Sequence, residues 1–339
     1  MRIWSTTDQR LPLSAVAAHA RRVEALGYDG LLVPEAVHDG LLVAGQALAA
    51  TERLHVGTGV LVAFPRSPMA VAVAAWDLQE MSGGRFELGL GSQVRGNIEG
   101  RYSVPWSAPV PRMREYVGAL RAIFARWQDG APLEFEGEQY RFTRMQPFFD
   151  PGPLPEGAPP VWLGGVGPAM TALAGEAADG LITHPTNSSP RFLREVVGPC
   201  VAKGAARSSR DPAEMRCLAS PLVATAPDAA TLAERREKSR ELLGFLYSTP
   251  SYWPSLELFG WKERGEALRE HSRAGRWDAM KAVVDEEMLD AFLPSGTHDE
   301  IVERLQESYA GLCSDLAVPL PDDPGEDAAM ARVLSRLRR

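Results

Sequence analysis

Cysteine is scarce: only Cys200, Cys217 and Cys313 occur in 339 residues. The number is odd and no CxxC spacing is present, which excludes a disulfide framework and a cysteine zinc site. The three read as buried thiols, and no metal site is expected. Long apolar runs are also missing. Nowhere do about 18 consecutive apolar residues occur, so no bilayer-spanning helix is expected, and the opening MRIWSTTDQR lacks the apolar core of a secretory signal. Positive charge is in deficit. A net charge of −8 disfavours nucleic acid and anionic membranes as partners, and the one basic stretch, RVLSRLRR, reads as the solvated end of a last helix. These absences point to a cytoplasmic protein.

Several signatures are missing too. No GKS or GKT phosphate loop, HExxH or GxSxG occurs. The glycine clusters GLGSQV and GVGPAM place Val94 and Met170 where a dinucleotide fingerprint requires glycine or alanine. That argues against a doubly wound open sheet, the main competing architecture.

What is present alternates. With 45% hydrophobic and 24% charged residues, the composition is that of a globular chain. Short β-like runs alternate with helical patterns along it: 2–6, 29–34, 54–62, 85–91, 160–164, 179–184, 215–225 and 314–320. Several are continuously apolar, as strands covered on both faces are. Between them, Val16, Ala20, Val23 and Leu26 share one helix face, as do Met113, Tyr116, Val117, Leu120, Ile123, Phe124 and Trp127. Thr297 and Glu300 form a capping box before Ile301, Val302 and Leu305. Eight βα units close most naturally into a (β/α)8 TIM barrel of ~250 residues, leaving roughly 90 for insertions. A single barrel domain over 1–339 is therefore expected, with insertions at about 92–111, 129–160 and 247–295.

In such a barrel the chemistry sits at the C-terminal strand ends. Those ends carry PEAVHDG with Glu35, His38 and Asp39, then TGVLVAFPRSP, GSQVRGN, GGVGP and HPTNSS beginning at His184. Each has a plainer reading beside the functional one. Glu35 suits a helix start, and Asp39 suits the N-cap of a helix carrying Leu41 to Ala49. Gly164, Gly165 and Gly167 suit a tight turn, but before Pro168 and a helix they also leave N–H groups free for an anion. Gly57 and Gly59 interrupt an otherwise β-branched strand, where glycine normally weakens packing and marks a close approach.

The stretches YDGLLVPE, LHVGTGVLVAFPRSPMAVA, SGGRFELGLGS and WLGGVGPAMTALAGEAADGLI, in this order, resemble the bacterial luciferase-like family of flavin and deazaflavin oxidoreductases. They are most similar to its coenzyme F420-dependent branch. The resemblance implies a barrel with an isoalloxazine-type ring at the strand ends and a non-prolyl cis peptide at Gly59–Val60 against the ring. It also implies cofactor contacts from Glu35, Gly91, Ser92, Gln93 and Asn97, and from a phosphate-binding turn at Gly164, Gly165, Val166 and Gly167 with His184 alongside. Ala36 stands where relatives often have histidine, and Val94 where one deazaflavin dehydrogenase has glutamate. Proton transfer is therefore expected from His38, assisted by Glu35 or Asp39. Aromatic residues Phe148, Phe149, Tyr252, Trp253 and Trp261 are expected to border the open side of the ring.

The leading function is hydride transfer between C5 of coenzyme F420 and a carbonyl, alcohol or activated alkene. An FMN-linked monooxygenase is the first alternative, and a non-catalytic flavin-binding protein the second. Members of this family often dimerise, so a homodimer is a further expectation.

Overall fold

The computed structural model describes residues 1–338. Its central sheet consists of β1 (Arg2–Thr6), β2 (Gly30–Val33), β3 (His55–Thr58, resumed at Leu61–Val62), β4 (Phe86–Gly91), β5 (Val161–Gly165), β6 (Gly180–Thr183), β7 (Arg216–Ala219) and β8 (Asp315–Ala317). Neighbours in sequence pair in parallel, and β8 returns to β1, closing the barrel. Helices at Val16–Leu26, Gly40–Ala49, Pro68–Ser82, Pro109–Asp129, Pro168–Ala177, Gly198–Arg207, Ile301–Tyr309 and Asp327–Leu337 form the outer layer. The expected (β/α)8 fold is what the chain adopts. None of the described helices is long and apolar enough to cross a membrane.

The pleat sends alternate residues of every strand inward, and this sorts the barrel interior into layers. At the N-terminal end lie Arg2, His55, Glu87, Arg216 and Asp315. Arg216 reaches Glu87 at 3.1 Å and Asp315 at 2.5 Å, and the Trp4 indole N–H donates to Asp315 at 2.8 Å. Two residues further along come Trp4, Leu32, Trp162, Ile182, Leu218 and Ala317, packed into one buried cluster with Val60 against it. The two tryptophans fit because glycine faces them: a Cβ on Gly30 would lie 2.3 Å from the Trp4 ring, and one on Gly180 would lie 2.2 Å from the Trp162 ring. The next inward positions, from Thr6 to His184 and Ser220, form the mouth.

The insertions have structure of their own. Residues 92–111 carry a helix at Arg95–Gly100, and 129–160 a short hairpin, Phe135–Glu136 with Arg141–Phe142. Residues 247–295 contribute four helices that, with the helix Ala229–Tyr247, bury a second core around Leu243, Tyr247, Leu256, Leu268, Met280, Met288 and Phe292.

Four local expectations are corrected. The run 215–225 is not one strand, because it breaks at Ser220–Pro221 and Ala224–Ala226 pairs with Ser295–Thr297 outside the barrel. The run 54–62 is interrupted at Gly59–Val60, whose peptide is cis. Only the reverse half of the capping box forms: Glu300 accepts from the Thr297 N–H and hydroxyl, while Thr297 itself belongs to the outer strand pair. The three cysteines are free, but partly rather than fully buried.

Candidate active site

The end of β2 and the end of β3 are held together by one arginine. Glu35 was expected to contact the cofactor and assist His38, yet its side chain is 5% exposed and turned to Arg66. Arg66 Nη2 donates to Glu35 Oε1 at 2.5 Å and Nη1 to Oε2 at 3.0 Å, while the Val62 N–H donates to Oε2 at 2.6 Å. Arg66 Nη2 also reaches Asp39 Oδ2 at 2.7 Å. The other Asp39 oxygen accepts from the Leu41 and Leu42 amides, so Asp39 is the N-cap of the helix Gly40–Ala49. Burial alone would raise the Asp39 carboxyl, but those amides and Arg66 outweigh it and hold it below the ordinary range. The Arg66 guanidinium, desolvated as it is, is pushed up by the two carboxylates.

Neither carboxylate touches His38. The expected His38–Glu35 or His38–Asp39 relay is therefore not assembled, for a physical reason: the Arg66 guanidinium engages both carboxylates through a charge-assisted fork that a single ring N–H cannot match. His38 itself is half-buried on the loop between them.

Beyond the break in β3, Val60 forms a ledge at the top of the barrel core. Two glycines make room for it: a Cβ on Gly91 would come within 2.3 Å of Val60, and one on Gly164 within 2.9 Å. Gly59 packs on Leu32, with a Cβ position only 3.0 Å from it. Gly57 lies against β4, where a Cβ would come 3.3 Å from the Glu87 carbonyl oxygen, so neighbouring side chains and strands account for both glycines. Beside the ledge, Ser92 and Gln93 follow β4. Gln93 has φ +57°, a region that bulky residues rarely enter. Its carbonyl oxygen accepts from the Asn97 amide at 3.1 Å and from the Val94 N–H at 2.9 Å. Among the described residues this leaves the Gln93 side-chain N–H groups and the Asn97 side-chain oxygen without a protein partner.

On the far side, Gly164 and Gly165 end β5 and Gly167 caps the helix Pro168–Ala177. Among the described residues, the N–H groups of Gly167, Ala169 and Met170 reach no backbone acceptor, and a Cβ on Gly167 would meet open space. Gly165 behaves differently. Its missing Cβ would strike Leu181 at 2.8 Å and Thr171 at 3.1 Å, so it is a packing glycine facing the protein. Within the expected turn, Gly167 and the helix start are therefore its open part.

His184 follows β6 and faces the mouth. Its Nδ1 accepts from the Thr186 N–H at 3.3 Å and lies 2.9 Å from the Thr186 hydroxyl, leaving the proton on Nε2. Burial pushes its pKa down to about 4. The ring stacks on Tyr252, with centroids 4.7 Å apart and 10° between planes. Asn187 ties this turn to the previous strand, donating to the Gly165 carbonyl at 2.7 Å and accepting from the His184 N–H at 2.7 Å.

Of the aromatic residues expected around the opening, only Tyr252 contacts a mouth residue. Trp253 donates to the Tyr247 carbonyl at 2.8 Å, and Trp261 stacks on Phe259 in the helical core. Phe148 and Phe149 pack on each other and are 91% and 63% exposed. Reading the sequence missed Arg66, although it stands within FPRSP, because nothing local links it to Glu35. It also missed Arg112, which bonds the Phe64 and Pro105 carbonyls and the Tyr140 hydroxyl, joining the loop after β3 to both nearby insertions.

A parallel barrel with an apolar ledge, unspent amides and an open helix start at its C-terminal face defines an enzyme scaffold of the ligand-binding barrel type. Residues 1–315 match the family described as luciferase-like monooxygenase. The chain belongs to this bacterial luciferase-like family of flavin and deazaflavin oxidoreductases, as the sequence resemblance implies. It is 44% identical over 300 residues to an uncharacterized protein of Mycobacterium tuberculosis, covering 88% of each chain. It is 32% identical to the 5,10-methylenetetrahydromethanopterin reductase of Archaeoglobus fulgidus, over 77% of this chain and 76% of that one. In fold it resembles the coenzyme F420 dependent tetrahydromethanopterin reductase of Methanopyrus kandleri, with TM-score 0.82 and 21% identity over 99% and 98% of the two chains.

Proposed function

We propose that the protein is a coenzyme F420-dependent oxidoreductase that passes a hydride between deazaflavin C5 and a carbonyl, alcohol or activated alkene of a small organic substrate. The observation that carries this reading is the pairing of the Val60 ledge, seated on Gly91 and Gly164, with the open amides of Gly167, Ala169 and Met170. A flat tricyclic ring needs the first, and its phosphate-bearing tail needs the second. The kinship with a methylenetetrahydromethanopterin reductase, and the fold shared with an F420-dependent enzyme, support the same choice.

The residues present fit such a group. Val60 would bear one ring face, Gln93 and Asn97 would meet its polar edge, and Val166, Gly167 and the helix start would hold the phosphate. When bound, the deazaflavin donates or accepts a hydride at C5. The chain's part is to leave the other ring face open and to move the accompanying proton. Reduction of a carbonyl places the hydride on carbon and requires a proton on oxygen, for which His38 is the candidate donor.

Fluorescence titration of the cofactor-free protein with F420 and with FMN tests the reading. Tighter binding of F420 is expected. Preference for FMN would instead favour the monooxygenase chemistry of the family, and binding of neither would sink both.

A further inference from the structure

We infer that Arg66 is the positioning residue of this site, a single guanidinium that fixes both the ledge under the cofactor and the loop that carries His38. The inference rests on reading the Val60 ledge as the cofactor bed.

The geometry on the ledge side is closed from both directions. Glu35 Oε2 takes the Val62 N–H at 2.6 Å, and Arg66 Nη1 donates to the Val62 carbonyl at 3.0 Å. Both polar groups of a residue two positions past Val60 are thereby held by one ion pair, and the Ala63 N–H then continues to the Gly91 carbonyl at 3.0 Å. On the loop side, the same guanidinium grips Glu35 at the start and Asp39 at the end. His38 lies between those two anchors, so its reach toward the ledge is set by Arg66 without any contact to it.

Arg66 is poorly suited to hold substrate. Its two terminal nitrogens already make four bonds to protein oxygens. Lysine could not replace it, because three donors on one point cannot span a carboxylate, a carbonyl and a second carboxylate. Glu35 then becomes intelligible: buried and acidic at a strand end, it completes a clamp instead of exchanging protons.

The test uses the full chain with Arg66→Lys and Arg66→Ala. Amide exchange at Val62 and Ala63 is measured without cofactor, and F420 affinity by fluorescence titration with and without millimolar guanidinium. Arg66→Ala should expose both amides to faster exchange and weaken F420 by about tenfold or more, the size of a lost charge-assisted hydrogen bond. Added guanidinium should restore part of that loss in Arg66→Ala and leave the wild type unchanged. Arg66→Lys should fall between, and decides the matter if Arg66→Ala does not fold. Unchanged exchange at Val62, or affinity within twofold of wild type in both variants, overturns the inference. If the wild type binds no F420, the functional reading fails, while the exchange measurement still decides whether Arg66 holds the ledge.

Discussion

The two halves of the barrel begin alike and end differently. In the first, Asp29 accepts from the Ile3 N–H at 2.7 Å, Gly30 faces the Trp4 ring, and an arginine, Arg338, pairs with Asp29. In the second, Asp179 accepts from the Val161 N–H at 2.7 Å, Gly180 faces the Trp162 ring, and Arg121 pairs with Asp179. YDGLLVPE and AADGLITHP follow the same plan until their last residues. There one half presents Pro34 and Glu35, the latter neutralised by Arg66, and the other presents His184, uncharged and locked to Thr186. Within the barrel, packing dictates the residue: a tryptophan on one strand demands a glycine on the next. At the mouth that constraint ends, and the strand tips become free to carry different chemistry. Even inside, the match has a limit, since the Trp4 indole N–H finds Asp315 whereas the buried Trp162 N–H has no partner among the described residues.

The largest effect expected from this contrast concerns which mouth histidine moves a proton. His38, on the first half, makes no hydrogen bond or ion pair among the described residues and sits on a loop anchored at both ends by Arg66. His184, on the second, holds its proton on Nε2 and stays neutral. Once a substrate is found, His38→Ala should lower turnover by roughly 10²- to 10⁴-fold, the usual worth of a positioned acid or base, and leave F420 affinity nearly intact. His184→Ala should chiefly weaken F420. A reversed pattern in steady-state kinetics and titration would exchange the roles of the two halves.

A smaller effect tests the likeness itself. Gly30→Ala and Gly180→Ala each drive a Cβ to within 2.3 and 2.2 Å of a tryptophan ring, and overpacking of this kind costs about 1 to 3 kcal/mol. Urea unfolding should show two losses of similar size. If Gly180→Ala were nearly neutral while Gly30→Ala were not, the second half would have slack that the first lacks.

How much of this was legible follows from the range of each interaction. The strand count, the helix faces and Asp39 as a cap rest on contacts within a few residues, and the periodicity reports them. The strand 215–225 was misjudged because apolar character continues through Pro221 while its partner changes from the barrel to 295–297. The pairing of Glu35 with Arg66 was not legible because the two lie 31 residues apart and no local pattern links them. Gly165 and Gly167 look equivalent in GGVGP, yet one meets Leu181 and the other open space. Such a difference is set by the neighbouring strand and cannot be read from the turn alone.

The smallest effect separates the two strand tips by pH. Burial holds His184 at about 4 when folded, below the ordinary histidine value near 6.5 in the unfolded chain. Between these values the unfolded state binds the extra proton, so stability falls as pH drops through that window and is unaffected above it. The slope is at most about 1.4 kcal/mol per pH unit for one group, and less here because the ring borders the open mouth. Asp39 works in a different window. Its folded pKa is depressed, so its contribution is complete above the ordinary carboxyl value near 3.9 and is lost only as pH falls further. Denaturant unfolding at pH 7, 6 and 5 should therefore show a decline, shared with His19 whose pKa burial also lowers, that His184→Gln reduces and Asp39→Asn does not. If His184→Gln leaves the slope intact, the histidine charges freely in the folded protein and the uncharged character of the second strand tip is disproved.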